Sequence, residues 1–133
     1  MKATVTVFII LVAFASAGKI HYAEKYLDQI ATSRTECFKK EGVDLKYLEQ
    51  VDDSETIPTF DQQKCYVLCM INKFKFTDAE LRFQAESYKE YFDDLVLWEK
   101  VETALSTKCL PKDKKIRSCE DAYDMYICLV RNV

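Results

Sequence analysis

The chain has 133 residues, a formal net charge of −3, six cysteines, two glycines, two prolines and one histidine. One domain fits this length, whereas two would each be too small to bury a good core. Two glycines cannot build a G-x-G-x-x-G fingerprint or a Walker loop, few turn residues argue against an all-β fold, and one His leaves little for His-rich metal sites or His-based triads.

The chain opens on MKATVTVFIILVAFASA. Lys2 is a short positive region, Val5 to Phe14 is almost wholly apolar, and Ala15-Ser16-Ala17 is an A-x-A cleavage site. Residues 1–17 therefore read as a signal peptide, because the apolar run is well short of the ~20 residues a membrane span needs. Residues 18–133 are then expected to be secreted into extracellular fluid as one domain, with no membrane insertion. Their mildly acidic balance is poor for gripping phosphates, so nucleic acid is not an expected partner.

Secretion gives the cysteines their meaning. Cys37, Cys65, Cys69, Cys109, Cys119 and Cys128 all follow Ala17. An even number in an oxidising compartment points to disulfides. Six cysteines allow fifteen pairings, and spacing alone does not choose among them. The absence of C-x-x-C and the remoteness of the one His speak against a metal site, and no cofactor is expected.

The rest reads as helices. From His21 to Glu41 apolar residues recur at helical spacing, with a weak patch at Thr32–Thr35 where the helix is expected to bend or break. Lys39, Lys40 and then Gly42 suit its C-terminal end. A short helix follows Asp44, and Asp52 to Pro58 is a connecting loop. Asp61 fits the N-cap of a helix running to about Phe74 that contains Cys65 and Cys69. Positions four apart lie about 40° apart around the axis, so both thiols face one side and reach two other elements rather than each other.

Thr77-Asp78-Ala79-Glu80 fits a capping box for a helix ending near Tyr91 or Phe92. Asp93 or Asp94 caps the next, in which Leu97, Val101, Leu105 and Cys109 repeat every four residues, and Leu110-Pro111 ends it. After the basic loop Lys112–Arg117, Ser118 caps the last helix. There Cys119, Ala122, Tyr123, Tyr126, Ile127 and Val130 form one apolar stripe, with Met125, Cys128 and Leu129 opposite. Cys119 and Cys128 fall on opposite faces, so this helix is expected at the centre of the fold.

Between successive cysteines lie 27, 3, 39, 9 and 8 residues. In these gaps, taken with the length and helix pattern, the sequence resembles the insect odorant-binding proteins of the pheromone-binding and general-odorant-binding family, six-cysteine type. The resemblance implies an all-α fold, a compact bundle of about six helices around an apolar cavity. It also implies the pairing Cys37–Cys69, Cys65–Cys119 and Cys109–Cys128. Two departures stand out: Lys73 to Phe83 lacks the glycine often found there, and only Leu129–Val133 follows the last cysteine, too short for a cavity-filling tail helix.

The implied role is a carrier of small hydrophobic ligands, such as odorants or pheromones, through aqueous fluid, with a membrane olfactory receptor as downstream partner and a monomer or weak homodimer as the working form. Ligand-lining candidates are Val67, Leu68 and Ile71; Leu95, Trp98, Val101 and Leu105; and Tyr123, Tyr126, Ile127 and Val130. They sit on core-facing stripes, and core and pocket draw on the same residue types. Tyr123 or Tyr126 is a candidate to offer its hydroxyl to a ligand oxygen. His21 is expected to be a bystander near the start of the secreted chain. The acidic stretch Asp52–Glu55 is the one place where a pH effect on release is expected. No nucleophile sits in a recognisable motif with a base, so an enzyme is not expected. The competing readings are a scavenger of lipids or amines in saliva or venom, and a helical protein recognised through its surface.

Overall fold

The structure, a computed structural model, describes residues 19–133; the expected signal peptide lies outside the described residues. These residues form six α-helices and no β-strand. A 3-10 turn, Glu24–Tyr26, leads into α1, Leu27–Glu41; then come α2, Phe60–Gln63, α3, Tyr66–Phe74, α4, Ala85–Lys89, α5, Leu95–Ala104, and α6, Cys119–Arg131. A π-helical turn, Leu105–Cys109, extends α5. Helix α3 packs against α1 on one side and α6 on the other, and α6 also packs against α5 and its π turn.

Several helix ends follow the local chemistry that the sequence carries. Gly42 ends α1 in the left-handed conformation, at φ 68°. The Asp94 side chain accepts from the Leu97 amide at 3.1 Å, and the Ser118 hydroxyl accepts from the Asp121 amide at 3.0 Å.

Three expectations about elements need correction. Helix α1 does not break at Thr32–Thr35; the change of geometry comes earlier, where the 3-10 turn passes into α-helix at Leu27. The helix expected from Asp61 to Phe74 is two helices. Thr59, not Asp61, caps the first through a reciprocal capping box with Gln62, and Lys64 at φ 53° interrupts the run before Cys65. Finally, Thr77–Glu80 does not start a helix. Asp78 turns its carboxylate onto the amides of Glu80 and Arg82, both at 2.9 Å, so it closes a tight turn instead of capping a helix. Leu81 sits at φ 67° in that turn, and a bridge pairs Thr77 with Phe83.

The disulfides are Cys37–Cys69, Cys65–Cys119 and Cys109–Cys128. They join α1 to α3, the residue before α3 to the start of α6, and the π turn to the middle of α6. The loops they close span 32, 54 and 19 residues. In the chain-entropy account, deleting the widest (Cys65→Ala with Cys119→Ala) costs about 4 kcal/mol, against about 3 kcal/mol for Cys109→Ala with Cys128→Ala. Urea unfolding of the two double variants checks this order.

Asp121, in the first turn of α6, accepts from the Arg117 amide at 2.9 Å and from Lys114 Nζ at 3.0 Å. The Arg117 amide, followed by Lys114, holds its carboxyl below the usual carboxylate range. A lowered folded-state pKa contributes stability above the unfolded value, and that contribution is lost as pH falls through the folded one. The stability gap between wild type and Asp121→Asn is therefore expected to be full at neutral pH and to close as pH drops below about 4. Denaturant titrations across that range measure it.

Candidate functional site

The site is an internal cavity of about 60 Å³ bounded by α1, α3, α6 and the segment 76–91. Helix α1 contributes Ile30 and Arg34, because Ile30, Arg34 and Phe38 recur every four residues on its inner face. Helix α3 contributes Tyr66, Val67, Met70, Ile71 and Phe74; α6 contributes Met125, Tyr126 and Leu129. Phe76, Phe83, Tyr88 and Tyr91 close a third side, and Tyr22 enters from the N-terminal segment. The walls are thus aliphatic on one side and aromatic on the other.

The aromatic side is a continuous set of edge-to-face contacts. Phe76 packs on Tyr88 with ring centroids 5.2 Å apart and on Phe83 at 5.9 Å. Phe74 meets Tyr91 at 5.2 Å. The turn at Asp78 is what sets this wall, since it folds Phe83 back towards Phe76. The Gln84 amide donates to the Phe76 carbonyl at 2.6 Å and locks the return.

Among apolar walls, Arg34 is the exception. Its Nη2 donates to Asp52 Oδ2 in an ion pair whose two side chains are 16% and 12% exposed. Asp52 comes from the loop after the 3-10 turn Leu45–Tyr47, and the Ile20 amide donates to its backbone carbonyl at 3.2 Å. The Arg34 guanidinium also lies 5.8 Å from the centre of the Tyr22 ring. Tyr22 and Tyr88 share a hydroxyl–hydroxyl hydrogen bond of 2.8 Å. Arg34 Nε and Asp52 Oδ1 are buried with no hydrogen-bond partner.

Burial governs the titration of this cluster. It raises the Tyr22, Tyr66 and Tyr88 hydroxyls well above their ordinary range. It also raises the Asp52 carboxyl, against the pull of Arg34 towards the charged form. For Arg34 burial disfavours the cation, but the Asp52 carboxylate outweighs it and keeps the guanidinium charged.

Of the residues expected to meet ligand, Val67, Ile71 and Tyr126 line the cavity. The others lie elsewhere. Val101, Leu105 and Val130 are 0–2% exposed and fill the core between α5 and α6. Trp98 is buried behind the aromatic wall, 5.2 Å from Phe92 and 6.1 Å from Tyr88. Leu95 is 70% exposed at the first position of α5. Leu68 and Ile127 are half-buried, and Tyr123 gives its hydroxyl to the Pro58 carbonyl at 3.2 Å. The face of α6 that lines the cavity runs through Met125 and Leu129, joined by Tyr126. It had been assigned to the back of that helix, since apolar spacing shows that α6 has two inner faces and not which one borders a void. His21 is exposed and does not line the cavity.

Sequence reasoning overlooked Arg34 and the wall 74–91. Two signals were present: an arginine at a core-facing position of α1, and the aromatic density of Phe74, Phe76, Phe83, Tyr88 and Tyr91.

The fold and the cavity define an all-α, disulfide-stapled binding protein. The family model described as PBP/GOBP family matches residues 20–132, and the chain belongs to that family, the insect odorant- and pheromone-binding proteins. The family is one of binding proteins for small hydrophobic ligands, not of enzymes. No curated protein is matched by the chain. Among the described residues no helix is long and apolar enough to cross a membrane, and no group of His, Cys, Asp and Glu is placed to hold a metal ion.

The buried pair gives a stability test. Arg34→Met strands the Asp52 carboxylate and is expected to cost about 3–5 kcal/mol, whereas Arg34→Met with Asp52→Leu replaces both charges by apolar groups and recovers most of that loss. Urea unfolding of the single and double variants at neutral pH separates the two outcomes.

Proposed function

We propose that the protein is a secreted carrier that takes small hydrophobic ligands into this cavity and moves them through aqueous fluid. The observation that carries the reading is the enclosed cavity with aliphatic and aromatic walls, in a chain of a hydrophobic-ligand-binding family. Burying an apolar ligand there releases its surface from water, and the walls supply contact on every side. Val67, Ile71 and Tyr126 contact the ligand. Residues 1–17 direct secretion and are removed, and residues 18–133 act as one domain. The carrier works as a monomer or weak homodimer and delivers ligand towards a membrane olfactory receptor.

The test is fluorescence enhancement of an apolar probe, N-phenyl-1-naphthylamine, and its displacement by volatile and lipid competitors. Saturable binding with displacement is expected. Met70→Trp, which fills the cavity from α3, is expected to weaken probe binding by about tenfold or more, as overpacking of a void costs at least the ~1.4 kcal/mol that tenfold represents. A variant that keeps its helical circular dichroism and binds the probe as wild type does would remove this cavity from the account.

A further inference from the structure

The polar groups at the Arg34 end of the cavity carry an inference that rests on the carrier reading and specifies its ligand chemistry. Arg34 lines the cavity, and its Nε–H is buried with no partner. A buried donor left unpaired costs about 1–3 kcal/mol, which an acceptor on a ligand recovers. Tyr22 and Tyr88 also line the cavity. Their mutual hydrogen bond uses one of two hydroxyl protons, so the pair holds a second proton for another acceptor. The cluster is thus rich in donors.

Its charge is already settled. The Arg34 cation is matched by Asp52, which does not line the cavity. A ligand carboxylate would set a second anion beside one guanidinium. A ligand ammonium would meet a cation and donors only. A neutral oxygen acceptor answers the spare donors without adding charge. We propose that Arg34, with the Tyr22–Tyr88 hydroxyl pair, forms a head-group subsite for a neutral carbonyl oxygen, so that the ligand is an aldehyde, ketone or ester whose hydrocarbon part lies against Val67, Ile71 and Phe74.

The experiment is displacement of N-phenyl-1-naphthylamine at neutral pH by compounds that share one alkyl chain and differ in the end group: hydrocarbon, aldehyde, acetate ester, carboxylate and amine. On wild type, the aldehyde and ester are expected to compete about tenfold better than the hydrocarbon, the worth of one well-made hydrogen bond, and better than the carboxylate and amine. In Arg34→Met with Asp52→Leu, and separately in Tyr22→Phe with Tyr88→Phe, that preference is expected to fall while the hydrocarbon competes as before. The tyrosine variant leaves the ion pair intact, so it reads the subsite even if the charge-free variant fails to fold. A hydrocarbon equal to the aldehyde on wild type, a carboxylate that outcompetes it, or a preference unchanged in the folded variants each overturns the subsite and leaves the carrier reading standing. Failure of wild type to bind the probe or any competitor overturns both.

Discussion

The constraint on which the rest depends is the set of overlapping covalent loops centred on α3. Cys69 in that helix bonds to α1, Cys65 just before it bonds to the start of α6, and α6 is bonded again through Cys128 to the π turn. The two helices that face each other across the cavity, α1 and α6, are therefore both tied to the helix between them. Close packing opposes voids: one of about 60 Å³ costs roughly 1–2 kcal/mol. Each cross-link contributes more than that by restricting the unfolded chain. The frame keeps open a space that apolar side chains alone would tend to close.

Against that frame, the Arg34–Asp52 pair is an unusual use of the interior. Desolvating two charges is expensive, and apolar side chains of similar volume would be as stabilising. The pair still fits its place, because Asp52 anchors the loop on which the N-terminal segment lies and Arg34 borders the cavity. It gives an otherwise apolar chamber one polar end, and with it a direction in which a ligand can be seated.

Much of the frame was legible in the sequence, and the reason is physical. Cysteine spacing, Gly42, Asp94 and Ser118 act through local geometry, so their consequences can be read within a turn or two of chain. The cavity was less legible because a void is a property of how helices meet. Periodicity placed Val101, Leu105 and Val130 inside, where they are, but could not say that they face other side chains instead of empty space. Asp78 shows a second limit. Its side chain serves a capping box and a tight turn equally well, and Leu81 accepting φ 67° is a tertiary outcome, supported where the Ile116 amide donates to the Leu81 carbonyl at 2.8 Å. Arg34 shows a third, since a charged residue on a helix reads as solvated until its partner from a distant loop is seen.

The aromatic wall from Phe74 to Tyr91 lies entirely between Cys69 and Cys109, and no disulfide enters it. Two sides of the chamber thus shift only with the cross-linked frame, whereas this side is held by ring contacts, the Asp78 turn and a few backbone hydrogen bonds. The chamber is mechanically unequal, stiff across α1, α3 and α6 and compliant across the arm. Fluctuations that let a molecule in or out are cheapest on the compliant side, so the same sequence that leaves this arm without cysteines also chooses the doorway.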